Sequence, residues 1–409
     1  MMPLNNEIIT SRKVTKKKEW DRRGLPAWSY TNPEMLALEK VELFIKHWQL
    51  ICHSSDIPNF GDFITCDIVG ERALVIRDAQ GKVNGFHNLC RHRGSRVLGS
   101  ERGSCKSAIV CPFHGWTYNL DGSLRGPSQP KSFPKMDYGE WGLKPLECEL
   151  WNGFIFVRFN SGPQASVKEI FRRFDEELSQ YNLAGLESVP NSFWTEVSNV
   201  NWKCIRDVDN EGYHVPMAHP GLQDLFGDNY FDEPFLNGAS RSFSKLKNSE
   251  GRLWSVKNYQ KILPDYVNLD KDHKRSWLYI AGFPNFVIDV YPDSVNFYQE
   301  FPIEVGKTLQ RGAFYKFPNE DRRGRAARYL SGRIDRITSK EDVMLSQWSW
   351  EATFSSAYDG VILSDLEQGV RSYHDVLRSI FPVLLDEKLT EGSLEARNNE
   401  LLKQITPES

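Results

Sequence analysis

Neither sign of charge dominates this 409-residue sequence, in which 51 Lys and Arg face 54 Asp and Glu for a net charge of -3. That balance gives no global electrostatic support to a nucleic-acid or membrane-surface role. The basic runs Lys16-Lys17-Lys18 and Arg322-Arg323-Gly324-Arg325 are local. Such runs are ordinarily solvated faces, with docking of an acidic redox partner as the functional alternative. Long apolar stretches are missing too, and nothing approaches the roughly 20 residues that a membrane span requires. The opening residues Met1-Met2-Pro3-Leu4-Asn5-Asn6-Glu7 lack the charged-then-apolar order of a secretory signal, so a soluble, cytoplasmic protein is expected. Cysteine is sparse and odd in number, seven residues in all, which argues against a secreted disulfide framework. Cys52, Cys66, Cys105, Cys148 and Cys204 read as small buried apolar side chains.

Cys90 and Cys111 are different, because each is followed closely by a histidine. The first pair, Cys90-Arg91-His92, is spaced Cys-x-His, and the second, Cys111-Pro112-Phe113-His114, is spaced Cys-x-x-His, with 18 residues between His92 and Cys111. Two thiolates and two imidazoles would satisfy a structural zinc. They also satisfy a two-iron cluster in which both Cys hold one iron and both His the other. The single residue inside the first pair and the Gly115-Trp116 that follows His114 weigh against zinc. The run Cys-Pro-x-His-Gly-Trp closely resembles the Rieske family, and that resemblance implies a [2Fe-2S] cluster held by Cys90, His92, Cys111 and His114.

The surrounding chain reads as an α+β protein. An arm and helix over residues 1–45, with a helix start at Asn32-Pro33-Glu34, is expected to pack on the second, C-terminal domain. A small all-β domain over 46–155 follows, with strands near 48–52, 73–77 and 83–87 and a tight turn at Asp121-Gly122. Residues 156–409 make the second domain, with a helix from Val167, a strand from Phe193 and a helix beginning near Lys203. Strands near 277–282, 286–291, 295–300 and 312–317 imply an antiparallel sheet. Helices are expected after Pro318, one including 339–345 and another from Leu363 to about Phe381.

A second candidate site lies in Arg206-Asp207-Val208-Asp209-Asn210-Glu211-Gly212-Tyr213-His214-Val215-Pro216-Met217-Ala218-His219-Pro220. Five residues along a straight helix would turn His219 about 140° away from His214. Pro216 and Pro220 disturb helical pairing and let the two imidazoles converge. The stretch resembles the mononuclear iron motif of Rieske oxygenase α subunits, in which an acid precedes Tyr-His-x-x-x-x-His. The resemblance implies that His214 and His219 bind Fe(II) with one downstream Asp, leaving open positions for dioxygen and substrate. Asp342 and Asp359 are the candidates, and the C-terminal pattern favours Asp342, whose bland reading is a first-turn helix carboxylate. Glu211 matches the acid that, in the family, bonds an iron-ligating His and reaches a Rieske His of the next subunit. A Glu there resembles carnitine monooxygenase and stachydrine demethylase, whereas many ring dioxygenases have Asp. Asp207 and Asp209 remain alternatives for that bridging role.

As a member of this family the chain would be the oxygenase component of a homotrimer, fed with NAD(P)H electrons through a flavin and iron-sulfur reductase. Hydroxylation or oxidative N-demethylation of a small quaternary amine is the leading expectation. Hydroxylation or cis-dihydroxylation of an aromatic ring or acid comes second, and a non-catalytic electron carrier is the reading from another class. Trp254, Tyr259, Trp277, Tyr279, Phe286, Tyr291, Phe297 and Tyr298 include either a cation cage or simply core.

Overall fold

Asn152 and Gly153 both take positive φ, 49° and 84°, and so close a tight hairpin between Glu147–Trp151 and Phe154–Arg158. This hairpin, joined by Gln49–His53, is one of three small sheets in the unit that carries the two Cys-His pairs. The second sheet runs Val83–His87, Glu71–Arg77, Asp62–Ile68 and Arg102–Ser104, all antiparallel. The third is Ile109–Val110, Thr117–Tyr118 and Leu124–Gly126, turned by Gly122 at φ 85°. Cys90, Cys111 and Trp116 pack in one apolar cluster with Phe63, Leu74 and Phe86.

The computed structural model describes residues 22–162, 164–389 and 391–405, so Lys16-Lys17-Lys18 and most of the expected N-terminal arm lie outside them. The described residues fall into two compact units, one formed by 40–194 with 313–319 and the other by the remainder. The expected domain exit near 155 falls inside a strand, and the unit continues to Trp194. The reason is packing. Ser166 caps the helix Val167–Phe171 by accepting from the Glu169 amide, Phe171 stacks on Trp151 at 4.5 Å, and the Trp151 indole donates to Asp175.

The other unit is built on antiparallel strands in the order Val295–Glu304, Phe286–Val290, Ser276–Gly282, Ala239–Lys245 and Tyr230–Asp232. Every residue of Phe286–Val290 is buried, as expected of a central strand covered on both faces. One helix, Arg322–Ala352, runs unbroken for 31 residues, about 46 Å, from its cap at Asp321. Asp342 therefore lies deep in this helix and not in a first turn. The later helix is Gln368–Ile380, because Glu367 accepts from the Ser364 amide and holds 364–367 as a turn. The fold is α+β.

Candidate metal centres

The two Cys-His loops are built alike. In each, a glycine four residues after the cysteine takes positive φ, Gly94 at 74° and Gly115 at 69°, and its amide donates back to the cysteine carbonyl. The cysteine amides donate to Ser95 and Trp116 carbonyls, so each loop is pinned at its base. Cys90 and Cys111 are buried together, and burial, with the neighbouring Cys111 adding to it, pushes the Cys90 thiol above its ordinary value. The imidazoles form a pair of their own, with His92 and His114 centroids 4.7 Å apart and His92 stacked on Trp116. His92 Nδ1 is buried without a hydrogen-bond partner.

These donors fit a cluster with sulfur at one end and nitrogen at the other. A tetrahedral zinc would draw all four donors around one point. Among the described residues, the one group of three or more His, Cys, Asp or Glu with ligand atoms all within 4.8 Å of one another is instead His214, His219 and Asp342.

That second group is set by helix breaks. Asn201 caps Trp202–Asp209, His214 precedes the short helix Val215–Ala218 with Pro216 in its first turn, and His219 at φ -119°, ψ 81° separates it from Pro220–Phe226. The break turns both imidazoles inward. His214 Nε2 lies 2.9 Å from His219 Nε2, and Asp342 Oδ1 lies 3.5 Å and 2.9 Å from them respectively. Ligands at right angles on bonds of about 2.1 Å stand about 3.0 Å apart, so these three atoms suit one face of an octahedral ion. Burial disfavours charge on His214, yet Asp342 and Glu211 outweigh it and raise the imidazole to about 10. Burial likewise opposes ionisation of Asp342, but His214 and His219 hold its carboxyl below the ordinary value. Such a field, strong enough to retain a proton, also suits a divalent cation.

The outer nitrogens are held by carboxylates. Glu211 Oε1 accepts from His214 Nδ1 at 2.5 Å and Oε2 from the His214 amide at 3.1 Å. Glu341 Oε2, which the motif reading missed, accepts from His219 Nδ1 at 2.8 Å. Both bonds fix the tautomer that leaves Nε2 free for a metal. The only sequence signal for Glu341 is its place beside Asp342, which sends adjacent side chains about 100° apart on the helix toward different histidines. Glu341→Ala is expected to weaken retention of the mononuclear metal by about 10–100-fold, measured by metal content after dialysis against a weak chelator.

Asp207 and Asp209 do not share the position of Glu211. Asp207 accepts from Tyr30 at 2.5 Å and meets His374 Nε2 at 2.7 Å. Asp209 pairs with Arg206 at 2.7 Å and accepts from Tyr298 at 2.7 Å. Asp359 is exposed beyond the end of the long helix and outside the donor group. Of the aromatic residues, Trp254 is 64% exposed, whereas Tyr259, Trp277, Phe286, Tyr291 and Phe297 are packed core. Tyr279 and Tyr298 keep partial access.

Residues 47–137 match the family described as Rieske [2Fe-2S] domain, and residues 186–382 that described as ring hydroxylating alpha subunit, catalytic domain. The carnitine monooxygenase oxygenase subunit of Acinetobacter baumannii is 30% identical over 300 residues, covering 72% of this chain and 76% of that one. The glycine betaine monooxygenase oxygenase subunit of Chromohalobacter salexigens is 31% identical over 266 residues, 63% of this chain, which spans only 59% of that relative. In fold, the chain resembles the solved quaternary ammonium Rieske monooxygenase CntA with a TM-score of 0.74 at 24% identity, over 87% of this chain and 94% of that one. By these matches the chain belongs to the Rieske oxygenase family, whose members pair a [2Fe-2S] domain with a catalytic domain for mononuclear iron.

Proposed function

We propose that this chain is the terminal oxygenase of a multicomponent system that hydroxylates or oxidatively N-demethylates a small quaternary amine. The observation that carries the reading is the convergence of His214 Nε2, His219 Nε2 and Asp342 Oδ1 behind Glu211 and Glu341. When bound, the cluster supplies one-electron transfer and the ferrous ion an open face for dioxygen chemistry. Cys90, Cys111, His92 and His114 hold the first, and His214, His219 and Asp342 the second. Glu211 and Glu341 keep both imidazoles in one tautomer and orientation. The names of the carnitine and glycine betaine relatives support the substrate class. A lone electron carrier would need no second donor group.

Partners follow from the same reading. A flavin and iron-sulfur reductase delivers NAD(P)H electrons, and Glu211 connects His214 to His114 of a second copy in a homotrimer. Exposed apolar side chains flank both ends of that link, Tyr213 at 56% and Met217 at 90% near His214 and Phe113 at 55% beside His114. Such side chains suit surfaces that another subunit covers. Among the described residues no helix is long and apolar enough to cross a membrane. Cytoplasmic placement is part of the proposal, supported by a sparse and odd number of cysteines that does not suit a secreted disulfide framework.

The test pairs the purified protein with a surrogate reductase and screens methylated amines and aromatic acids for substrate-dependent NADH consumption. A methylated amine is expected to be turned over, and release of formaldehyde identifies demethylation. A ring diol from an aromatic acid, with no methylated amine consumed, would overturn the substrate class.

A further inference from the structure

The sheet of the catalytic unit turns a polar, aromatic face toward the long helix, and two carboxylates there take no part in the metal group. Asp289 stands directly across from Tyr279 on one neighbouring strand and Asn296 on the other, and it is only 5% exposed. Asp335 projects from the long helix seven residues before Asp342, on the same side of the helix and about 10 Å along it. The Tyr291 hydroxyl lies 3.2 Å from Asp289 Oδ2 and 3.1 Å from Asp335 Oδ1, and its one proton serves only one of them. Asp289 Oδ1 and Asp335 Oδ2 have no hydrogen-bond partner. Among the charged groups acting on the pair, Asp209 and Asp293 are also acidic, and Arg336, the weakest influence on Asp335, is exposed.

Aromatic rings complete the surroundings. Trp277 stacks on Tyr291 at 3.9 Å, Tyr279 meets Tyr291 edge-on at 6.0 Å, and Tyr230 lies 6.3 Å from Tyr279. Tyr230, Tyr279 and Asp335 are half-buried beside fully buried Trp277 and Tyr291, so the two carboxylates lie just beneath partly accessible side chains. Burial lifts the Asp335 carboxyl to about 8 against the opposing Tyr291 hydrogen bond. Facing carboxylates without a counterion are costly to ionise, and an entering cation would remove that cost.

We propose that Asp289 and Asp335, with the rings of Tyr279 and Tyr291, bind the positive charge of an amine that carries no carboxylate of its own. The chain would then select net cations over zwitterionic betaines, because a substrate carboxylate would meet the further acids Asp209 and Asp293, while the buried base Arg206 is already engaged by Asp209 and Glu300. This inference rests on the oxygenase reading, and equilibrium binding to the iron-loaded protein separates the two. The protein is titrated calorimetrically with choline, glycine betaine and the uncharged isostere 3,3-dimethylbutan-1-ol. Choline is expected to bind at least tenfold tighter than either of the others. Asp289→Asn and Asp335→Asn should each cost choline tenfold or more, with iron content, Rieske absorption and affinity for the neutral isostere unchanged, effects that a purely structural hydrogen bond would not separate by charge. Equal or tighter binding of glycine betaine, no binding of choline, or unaltered choline affinity in folded Asn variants would overturn the proposal. If the variants do not fold, the ranking by the parent protein decides. Turnover of amines with charge-blind binding overturns this inference alone, whereas charge-selective binding without any turnover overturns the oxygenase reading.

Discussion

Asp342→Ala is expected to lower the iron content from about three to about two per chain and to abolish oxygenation while the Rieske absorption persists. The argument is geometric. Asp342 Oδ1 is buried without a hydrogen-bond partner, yet it stands 2.9 Å from His219 Nε2 and 3.5 Å from His214 Nε2. Two neutral imidazoles alone offer a divalent ion neither charge compensation nor a third corner of the face. Loss of the carboxylate should therefore reduce affinity for the mononuclear metal by more than about 100-fold, beyond what loss of an outer carboxylate costs. The four proposed cluster ligands lie in the other compact unit, so the cluster absorption is an internal control for folding. Iron analysis, the visible spectrum and amine-dependent oxygen uptake check the three parts separately. Full turnover by the Ala variant would move the third ligand elsewhere, with Asp359 the first alternative.

The sequence exposes some of this site and hides the rest for physical reasons. Cys90 and His92, Cys111 and His114, and His214 and His219 are legible because each pair is local, and a loop or a proline-broken helix needs only a few residues to aim both side chains. Asp342 lies more than 120 residues beyond His219, in a chain with 54 carboxylates, and only the register of the long helix brings it back. That register is masked in the sequence because Gly324, Ser331 and Gly332 interrupt the apolar pattern, although all three are buried in the helix. Asp289 and Asp335 carry no local signal at all. Their meaning comes from cross-strand pairing with Tyr279 and from one tyrosine hydroxyl that touches both. The end of the first unit is not legible near 155, because the helix that follows packs back on the last hairpin through Phe171 and Trp151, a contact that composition does not announce.

Glu211→Gln is expected to retain about three irons and the Rieske spectrum but to slow oxidation of the reduced cluster in a single turnover by about 10–100-fold. Glutamine preserves the length of the side chain and an oxygen to accept from His214 Nδ1, so the imidazole stays in place. What it loses is negative charge between the two histidines that the proposed link joins. Glu211→Ala removes the acceptor as well, and should add loss of the mononuclear iron to the kinetic defect. The comparison with Asp207→Asn makes the test specific. Asp207 lies four residues earlier but spends its oxygens on Tyr30 and His374, so its replacement should lower the unfolding midpoint and leave cluster oxidation at the parent rate. Rapid-mixing absorption of the prereduced protein with substrate and dioxygen measures the rate directly. A parent rate in Glu211→Gln would show that orientation of His214, and not the charge beside it, is what Glu211 supplies. A slow rate in a preparation held as single chains, restored on mixing two inactive variants, one lacking His114 and the other lacking Glu211, would place the two halves of the link on different copies.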